Sequence, residues 1–367
     1  MSRPPLLTRI PDAIAAVPDY ATYARERLDP AIWAYLDGAA GDELSARWNR
    51  EAWERLRLHG RVLADVAGGD TALTLFGSRL EHPVLLAPVA YQRLAHPDGE
   101  LAAARAAAAL GAGFVLSTLA SVELEAVAAL PDAPPLWFQL YCQPERAASV
   151  ELVQRAEAAG YSALVVTVDA PLAGIRNRER RAGFRLPPGV SAANLRHGQT
   201  PFAPGSAQAS LVFDGIMRTA PTWRELDWLL DQTRLPVILK GIVSPEDAAL
   251  ALERGVAGLI VSNHGGRVLD TLPASAEALP AIAERVAGRV PILVDGGIRR
   301  GTDVLKALAL GASAVLIGRP YLHGLAAAGA LGVAHVLKML REELEVAMAL
   351  TGCARLADIG PGVLWRP

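Results

Sequence analysis

His264 and Arg267 stand three residues apart in the stretch Gly258-Leu-Ile-Val-Ser-Asn-His264-Gly-Gly-Arg267-Val-Leu-Asp270. An imidazole can move a proton near neutral pH. A guanidinium can grip a carboxylate through two parallel hydrogen bonds. Together they point to an anionic substrate that must lose a proton. The apolar run ahead of them, bounded by glycine, has the composition of a fully buried parallel strand. The chemistry then sits at that strand's C-terminal end.

Two further turns carry glycine and arginine together: Val294-Asp-Gly-Gly-Ile-Arg-Arg-Gly301 and Leu316-Ile-Gly-Arg-Pro320. Glycines let the backbone come close to a ligand, and free amides at a helix start attract phosphate. Arg299 and Arg319 add positive charge. One such turn alone would be read simply as a tight turn. Two in succession, each with an arginine, favour phosphate binding.

Positioning these residues takes a regular scaffold. From residue 83 onward, strand-like apolar runs recur at 84–88, 114–117, 136–141, 163–169, 236–241, 258–263, 291–296 and 314–318. Helix-like segments separate them at 99–110, 122–129, 145–159, 223–232, 245–254, 276–286, 302–310 and from 325 on. Ser244-Pro-Glu-Asp247 has the form of a helix start, with serine as cap and proline in the first turn. Ala159-Gly160 and Leu310-Gly311 have the form of helix ends. Alternating strands and helices predict an α/β fold with a parallel sheet, and eight repeats predict closure into a (β/α)8 barrel. An open doubly wound sheet is the alternative. It would carry a Gly-rich phosphate loop after an early strand, and none follows 84–88 or 114–117.

The chain is read as one domain over 1–367, with the barrel at 83–345 and a tail at 346–367. Residues 1–82 are an N-terminal helical extension, with helices expected at 20–28, 30–36 and 42–57 and a small hairpin or extended lead-in at 71–82. The interval 170–221 breaks the rhythm after strand four, being far longer than an ordinary connection. Its basic opening, Arg176-Asn-Arg-Glu-Arg-Arg181, and its later glycine, serine and proline are expected to form a partly mobile, lid-like loop. A solvated insertion without a role is the alternative.

Composition narrows the classes. Of 367 residues, 51% are hydrophobic and 20% charged, so a large core can be buried. A formal net charge of -2 gives no reason to expect nucleic acid or an acidic membrane surface as partner. Two cysteines, Cys142 and Cys353, make no disulfide framework, and a reducing, cytoplasmic setting is expected. Four prolines fall within the first 18 residues ahead of any long apolar run, so no secretory signal is expected. No apolar run reaches eighteen residues without charge or glycine, so no membrane span is expected. No zinc, kinase or nuclease signature is present, and no metal site is expected.

The ordered motifs Ala87-Pro-Val-Ala90, Ala95-His-Pro-Asp-Gly-Glu100, Phe138-Gln-Leu-Tyr141, Thr167-Val-Asp169, Leu239-Lys-Gly241, Ser262-Asn-His-Gly-Gly-Arg267, Asp295-Gly-Gly-Ile-Arg-Arg-Gly-Thr-Asp303 and Ile317-Gly-Arg-Pro320 resemble one family. It is the FMN-dependent (S)-2-hydroxy-acid oxidase and dehydrogenase family, which includes glycolate, lactate and mandelate-type oxidases. The resemblance runs from about Tyr35 to Cys353. Each motif alone is weak; their order and spacing make the set specific. The run Ala87-Pro-Val-Ala-Tyr-Gln-Arg-Leu94 is most similar to the mandelate-type members.

The resemblance implies a barrel with FMN at its C-terminal mouth. It implies His264 as catalytic base and Asp169 as the carboxylate that orients it. Arg267 and Arg176 would hold the substrate carboxylate, and the Tyr35 and Tyr141 hydroxyls would contact the substrate. Lys240 would stand beside the flavin ring, where reduction places negative charge. Pro88, Val89, Ala90, Ser117, Gln139, Tyr141, Thr167 and Ser262 would bind or pack on the ring. Asp295 would hold the ribityl chain, and Gly296, Gly297, Arg299, Gly318 and Arg319 the phosphate. Without the resemblance, Tyr35 reads as an aromatic core residue, and Arg176 as a solvated arginine of a basic loop.

Two positions depart from the family's pattern. Ile175 stands where a second arginine is common, and Leu119 stands where glycolate oxidases carry tryptophan. Leucine leaves more room, so the expected substrate is an aliphatic or aryl 2-hydroxy acid larger than glycolate. Oxygen is the expected acceptor, with a quinone or other acceptor as the alternative. An FMN-dependent isomerase and a non-catalytic flavin-binding barrel are further alternatives. The resemblance also implies a homotetramer or octamer.

Overall fold

The structure, a computed structural model, describes residues 3–195 and 210–365. Three helices come first: α1 (Tyr20–Arg27), α2 (Pro30–Asp37) and α3 (Leu44–Arg55). A short antiparallel hairpin follows, β1 (Leu73–Leu75) and β2 (Ser78–Leu80). Eight parallel strands then close into a barrel: β3 (Val84–Leu86), β4 (Phe114–Ser117), β5 (Leu136–Leu140), β6 (Ala163–Thr167), β7 (Val237–Ile242), β8 (Gly258–Val261), β9 (Ile292–Val294) and β10 (Ala314–Ile317). Strand β10 pairs with β3, so every barrel strand has two neighbours and no edge is left open. The open-sheet alternative is thereby excluded.

All eight expected strands are present because each is buried on both faces. Leu85, Val115, Val165, Ile238, Ile260 and Leu293 fill the interior, while alternate residues such as Leu86, Leu116, Leu164 and Leu239 pack under the helices. Such strands read as unbroken apolar runs. The hairpin closes the N-terminal end of the barrel, with Phe76 edge-on to Trp137 at 5.3 Å. Gly258 permits this plug, since a Cβ there would lie 2.7 Å from Phe76 Cζ.

The helices lie outside the strands: α4 (Gly99–Leu110), α5 (Leu124–Ala128), α6 (Arg146–Ala158), then the short α7 (Asn177–Arg181) in the loop after β6, α8 (Trp223–Leu230), α9 (Pro245–Glu253), α10 (Ser275–Val286), α11 (Gly301–Ala309) and α12 (Arg319–Thr351). Ser244 caps α9 as expected, accepting from the Glu246 and Asp247 amides. Two expectations are corrected by α12. It begins at Arg319 rather than 325 and continues past 345 to Thr351, so the expected tail starts inside a helix. It is not one straight rod: Ala328 and Gly329 leave helical geometry, so two helical pieces meet at a kink, and 72% of its most apolar stretch is buried inside the protein. Gly324 and Gly332 explain part of the close packing: a Cβ on Gly332 would meet the Gly324 carbonyl oxygen at 2.0 Å.

The opening of the long loop is fixed to the N-terminal segment, not free as a lid. Arg178 donates to Asp37 at 3.0 Å and to Glu43 at 2.9 Å. The Gly41 amide donates to the Ile175 carbonyl at 2.8 Å, and the Asn177 amide group to the Gly41 carbonyl at 3.1 Å. These pairings are long-range and leave no local mark in a basic run. Residues 196–209 of the expected lid lie outside the described residues.

His82 sits fully buried at the stability end of the barrel, just ahead of β3, its Nδ1 accepting from the Val84 amide at 3.3 Å. Burial, with Arg341 adding to it, pushes this imidazole down to about 4. The unfolded chain binds the proton from about pH 6.5 downward, so the stability His82 gives is complete above that pH and is lost as pH falls towards 4. A loss of about 2–3 kcal/mol by pH 4.5 is expected from this residue. The His82→Asn variant keeps an acceptor for Val84 but cannot titrate. Urea unfolding at pH 7 and 4.5 should show a loss smaller by that amount in the variant, and equal losses would remove His82 as the cause.

Candidate active site

The ends of β6, β7, β8 and β9 bring five polar side chains into one network. His264 Nδ1 lies 3.0 Å from Asp169 Oδ1, and the His264 amide donates to Ser262 Oγ at 3.0 Å. Ser262 Oγ donates to Asp295 Oδ1 at 2.7 Å. The Lys240 ammonium lies 3.0 Å from Ser262 Oγ and 3.2 Å from Asp295 Oδ2. Lys240 is only 4% exposed, so its charge is held by these groups and not by water. Burial alone would lower its pKa, but Asp295 and Asp169 hold it above the ordinary lysine value.

Asp169 is set for a partner on one side. Burial would raise its pKa, yet the His264 imidazole and Lys240 ammonium keep it below the ordinary value. It reaches this place because Gly241, at φ +111°, has no Cβ; one there would lie 2.5 Å from the Asp169 side chain. With Nδ1 engaged by Asp169, Nε2 is the histidine nitrogen left for a ligand, and it has no protein partner among the described residues. His264 itself adopts φ +57°, uncommon for a residue with a side chain, inside the turn Asn263–Gly266. Asp169 pairs with His264, and Arg176 pairs with Glu179.

Tyr35 forms the other wall. The Arg267 and Arg176 guanidiniums each lie 5.5 Å from its ring centroid, and Phe184 stacks on it at 4.3 Å. One nitrogen of Arg267, Nη1, donates to the carbonyls of Tyr35 and Gly38 at 2.9 and 2.6 Å. No carboxylate pairs with Arg267 among the described residues, and burial pushes its pKa down to about 10, with Arg319 adding to the effect. Arg176 is half-buried and paired with Glu179 at 3.1 Å, so it is not simply a solvated loop residue. Tyr141 follows β5; burial pushes its hydroxyl up to about 12 despite Lys240, so the phenol stays protonated. The site thus offers a proton acceptor, a carboxylate grip and two neutral phenols around one space.

The residues expected to hold FMN lie at the same barrel mouth, and they fit it on three observations. Gln139 is 1% exposed and its Nε2 has no hydrogen-bond partner, while its Oε1 accepts from Ser117 Oγ at 3.1 Å. Arg299 and Arg319 have no carboxylate ion pair among the described residues, and burial, first of all, pushes each down to about 10. Two cations held in this way favour an incoming anion such as phosphate. Gly318 is open, a Cβ there meeting nothing nearer than Val89 at 3.9 Å, and Gly296 and Gly297 have φ +98° and +80°. Pro88, Val89 and Ala90 are half-buried just after β3, and Thr167 ends β6 beside Lys240.

Arg319 differs in detail from expectation. Three of its N–H groups donate to the carbonyls of Asp37, Gly265 and Gly38, at 2.9, 3.0 and 2.8 Å. It therefore ties α2 to the His264 turn as well as facing the phosphate side.

Several residues escaped the sequence reading. Thr118 donates to the Gln139 carbonyl at 2.6 Å and accepts from the Tyr141 amide at 3.1 Å, which seats Tyr141. Arg50 grips Asp303 through Nη1 and Nη2, at 2.5 and 2.9 Å, and Asp303 accepts from the Arg299 and Arg300 amides. Trp53 Nε1 donates to the Gly296 carbonyl at 2.7 Å. Phe184 was hidden in the loop; an aromatic residue in an otherwise basic and small-residue segment was its only signal.

Comparison with known proteins agrees with this geometry. The family model for FMN-dependent dehydrogenases matches residues 24–366. The chain is 51% identical over 352 residues to an L-lactate oxidase of Alicycliphilus denitrificans, covering 96% of each. It is 45% identical over 350 residues to glycolate oxidase 5 of Oryza sativa subsp. japonica, covering 94% of each. A structure of mandelate oxidase with (S)-2-phenylpropionate superposes with a TM-score of 0.86 at 44% identity, over 95% of this chain and 97% of that one.

Proposed function

The chain belongs to the FMN-dependent dehydrogenase family, and from that premise we propose that it oxidises an (S)-2-hydroxy acid to the 2-oxo acid. The observation that carries the proposal is the His264–Asp169 pair, 3.0 Å apart, at the same barrel mouth as two arginines, each 5.5 Å from the Tyr35 ring. FMN, when bound, would supply the two-electron acceptor for the α-hydrogen and its electron pair. The protein's own groups do the rest. Arg267 and Arg176 hold the carboxylate and so fix which face of the α-carbon is presented. His264 Nε2 takes the hydroxyl proton, and Asp169 stabilises the imidazolium that results. The Tyr35 and Tyr141 phenols donate to substrate oxygens. Lys240 is the fixed cation for negative charge that develops beside it. Gln139, Ser117, Thr167, Ser262 and the chain at 88–90 would hold the ring, Asp295 the ribityl chain, and Arg299, Arg319 and the glycines 296, 297 and 318 the phosphate.

Substrate size is read from Leu119 and Tyr91. Leu119 is half-buried and accepts from the Tyr91 amide through its carbonyl at 3.0 Å, and the Tyr91 ring lies 6.4 Å from Tyr35. A leucine and a tyrosine make a mouth that suits an apolar side chain better than a bare hydrogen. L-Lactate and (S)-mandelate are therefore proposed ahead of glycolate, and the names of the relatives support the range. Oxygen is the proposed acceptor, supported by relatives named as oxidases. A homo-oligomer is proposed too: exposed Val62, Leu63 and Leu350 form an apolar strip, with the Arg61 amide bonded to the Leu350 carbonyl at 2.9 Å.

The test is an anaerobic titration of the yellow holoprotein with glycolate, L-lactate and (S)-mandelate, followed by air. The flavin should bleach with L-lactate or (S)-mandelate faster than with glycolate. Air should restore the colour with one peroxide per acid oxidised. Preference for glycolate would overturn the size reading, and colour restored only by a quinone dye would overturn oxygen. A flavin inert to all three acids would overturn the reaction and return the isomerase or non-catalytic reading.

A further inference from the structure

Helix α3 belongs to the N-terminal extension, outside the barrel, yet one of its side chains is built into the turn that carries His264. Asn49 is 1% exposed. Its Nδ2 donates to Asn263 Oδ1 at 2.7 Å, and Asn263 Nδ2 donates back to Asn49 Oδ1 at 3.0 Å. The two amides thus form a closed reciprocal pair. Asn49 Oδ1 also accepts from the Ser275 amide at 3.0 Å, at the start of α10. Asn263 completes its own set with the Pro273 carbonyl at 3.0 Å and the Gly266 amide at 3.2 Å.

Asn263 is the residue directly before His264, and its bond to Gly266 closes the turn in which His264 holds φ +57°. A backbone held in that region persists only where its surroundings over-determine it. The backbone contacts are as close as the side-chain ones. A Cβ on Gly266 would lie 2.6 Å from the Ala46 nitrogen, and one on Gly297 would lie 2.3 Å from the Asn49 carbonyl oxygen. Asn49 therefore touches the turn after β8 and the turn after β9 together.

We propose that Asn49 is a positioning residue for the proton-accepting histidine: its amide, paired with that of Asn263, fixes the strained turn and with it the direction of His264 Nε2. Asn49 touches neither the substrate nor the reacting atoms. Asp169 fixes the rotation of the imidazole, and Asn49 fixes the backbone from which it hangs. This rests on the role given to His264 above. It makes the N-terminal segment a working part of the site, not a decoration on the barrel.

Asn49→Asp tests it. The carboxylate has the same shape and keeps an acceptor for Ser275 and Asn263, but when ionised it sets oxygen against Asn263 Oδ1. When protonated it regains a donor at that place, and burial against a carbonyl oxygen favours the protonated form. The variant should bind FMN, with substrate KM close to that of the wild type. Its rate of flavin reduction should fall about tenfold to a hundredfold at pH 8, since small misplacements of a reacting group cost this much. The ratio of variant to wild-type rate should climb towards one as pH is lowered to 5.

Trp53→Phe is the control: it deletes one hydrogen bond from the same helix to Gly296 and should leave the ratio flat with pH. Should Asn49→Asp not fold, Asn49→Ser carries the test, with a pH-independent loss of about tenfold per bound flavin. A ratio near one at every pH, or a loss explained wholly by flavin occupancy, overturns the proposal. If the wild type itself is not reduced by hydroxy acids, the fault lies with the proposed function and not with Asn49.

Discussion

The His264→Asn variant is expected to stay yellow and to lose about three to four orders of magnitude in the rate at which a hydroxy acid reduces it, the upper part of the range for removing a positioned base. Asparagine is the informative replacement. His264 sits at φ +57°, a conformation that asparagine tolerates better than most residues. Alanine would mix the loss of the base with strain in the turn. The asparagine side chain can still bond Asp169, which lies 3.0 Å from the present imidazole. The cofactor contacts proposed for Lys240, Gln139 and Arg299 are untouched, so flavin content should not change. Anaerobic single-turnover mixing separates this step from reoxidation. A reduction rate within tenfold of wild type would show that the proton leaves by another route, and the proposed mechanism would fall with it.

The barrel was legible because its strands answer to one local rule. A run such as Phe114–Ser117 is apolar on both faces, and no other surroundings suit it. The turns of the candidate site were legible for a related reason: glycine at 241, 296 and 297 has positive φ and close neighbours, so the need is written in the residue type. What stayed hidden depends on partners far along the chain. Asn49 in a helix of arginines and glutamates looks like a surface residue until Asn263 is beside it, 214 positions away. Arg319 looked like a phosphate ligand alone, because its three carbonyl partners come from segments 54 to 282 residues distant. Glu179, three residues after Arg176, could have been found from the spacing, since such pairs meet on one helical face. The end of α12 could have been found too, since Gly352, at φ +77°, is the glycine that closes it; its kink at Ala328 and Gly329 could not.

Arg267→Met is expected to lower kcat/KM for a hydroxy acid by about a thousandfold, in the upper half of the 2–5 kcal/mol that loss of one partner of a buried charged hydrogen bond costs. The geometry says which part of the side chain matters. Nη1 is used on the Tyr35 and Gly38 carbonyls, so the Nε–H and Nη2 groups form the edge without a partner among the described residues. That edge has the two parallel N–H bonds that match a carboxylate. With no carboxylate paired to it among the described residues and its pKa pushed down to about 10 by burial, the charge is held at a cost that a bound acid relieves. Methionine keeps the stem and removes both functions. Arg267→Lys separates them: one ammonium cannot serve two carbonyls and a carboxylate in that plane, so a loss of about tenfold to a hundredfold should remain although the charge is kept. Steady-state kinetics with L-lactate decides between the readings, with thermal unfolding run beside it because the Tyr35 and Gly38 contacts are lost as well. A methionine variant that is destabilised yet keeps its kcat/KM would make Arg267 a brace for α2 and leave Arg176 as the grip on the acid.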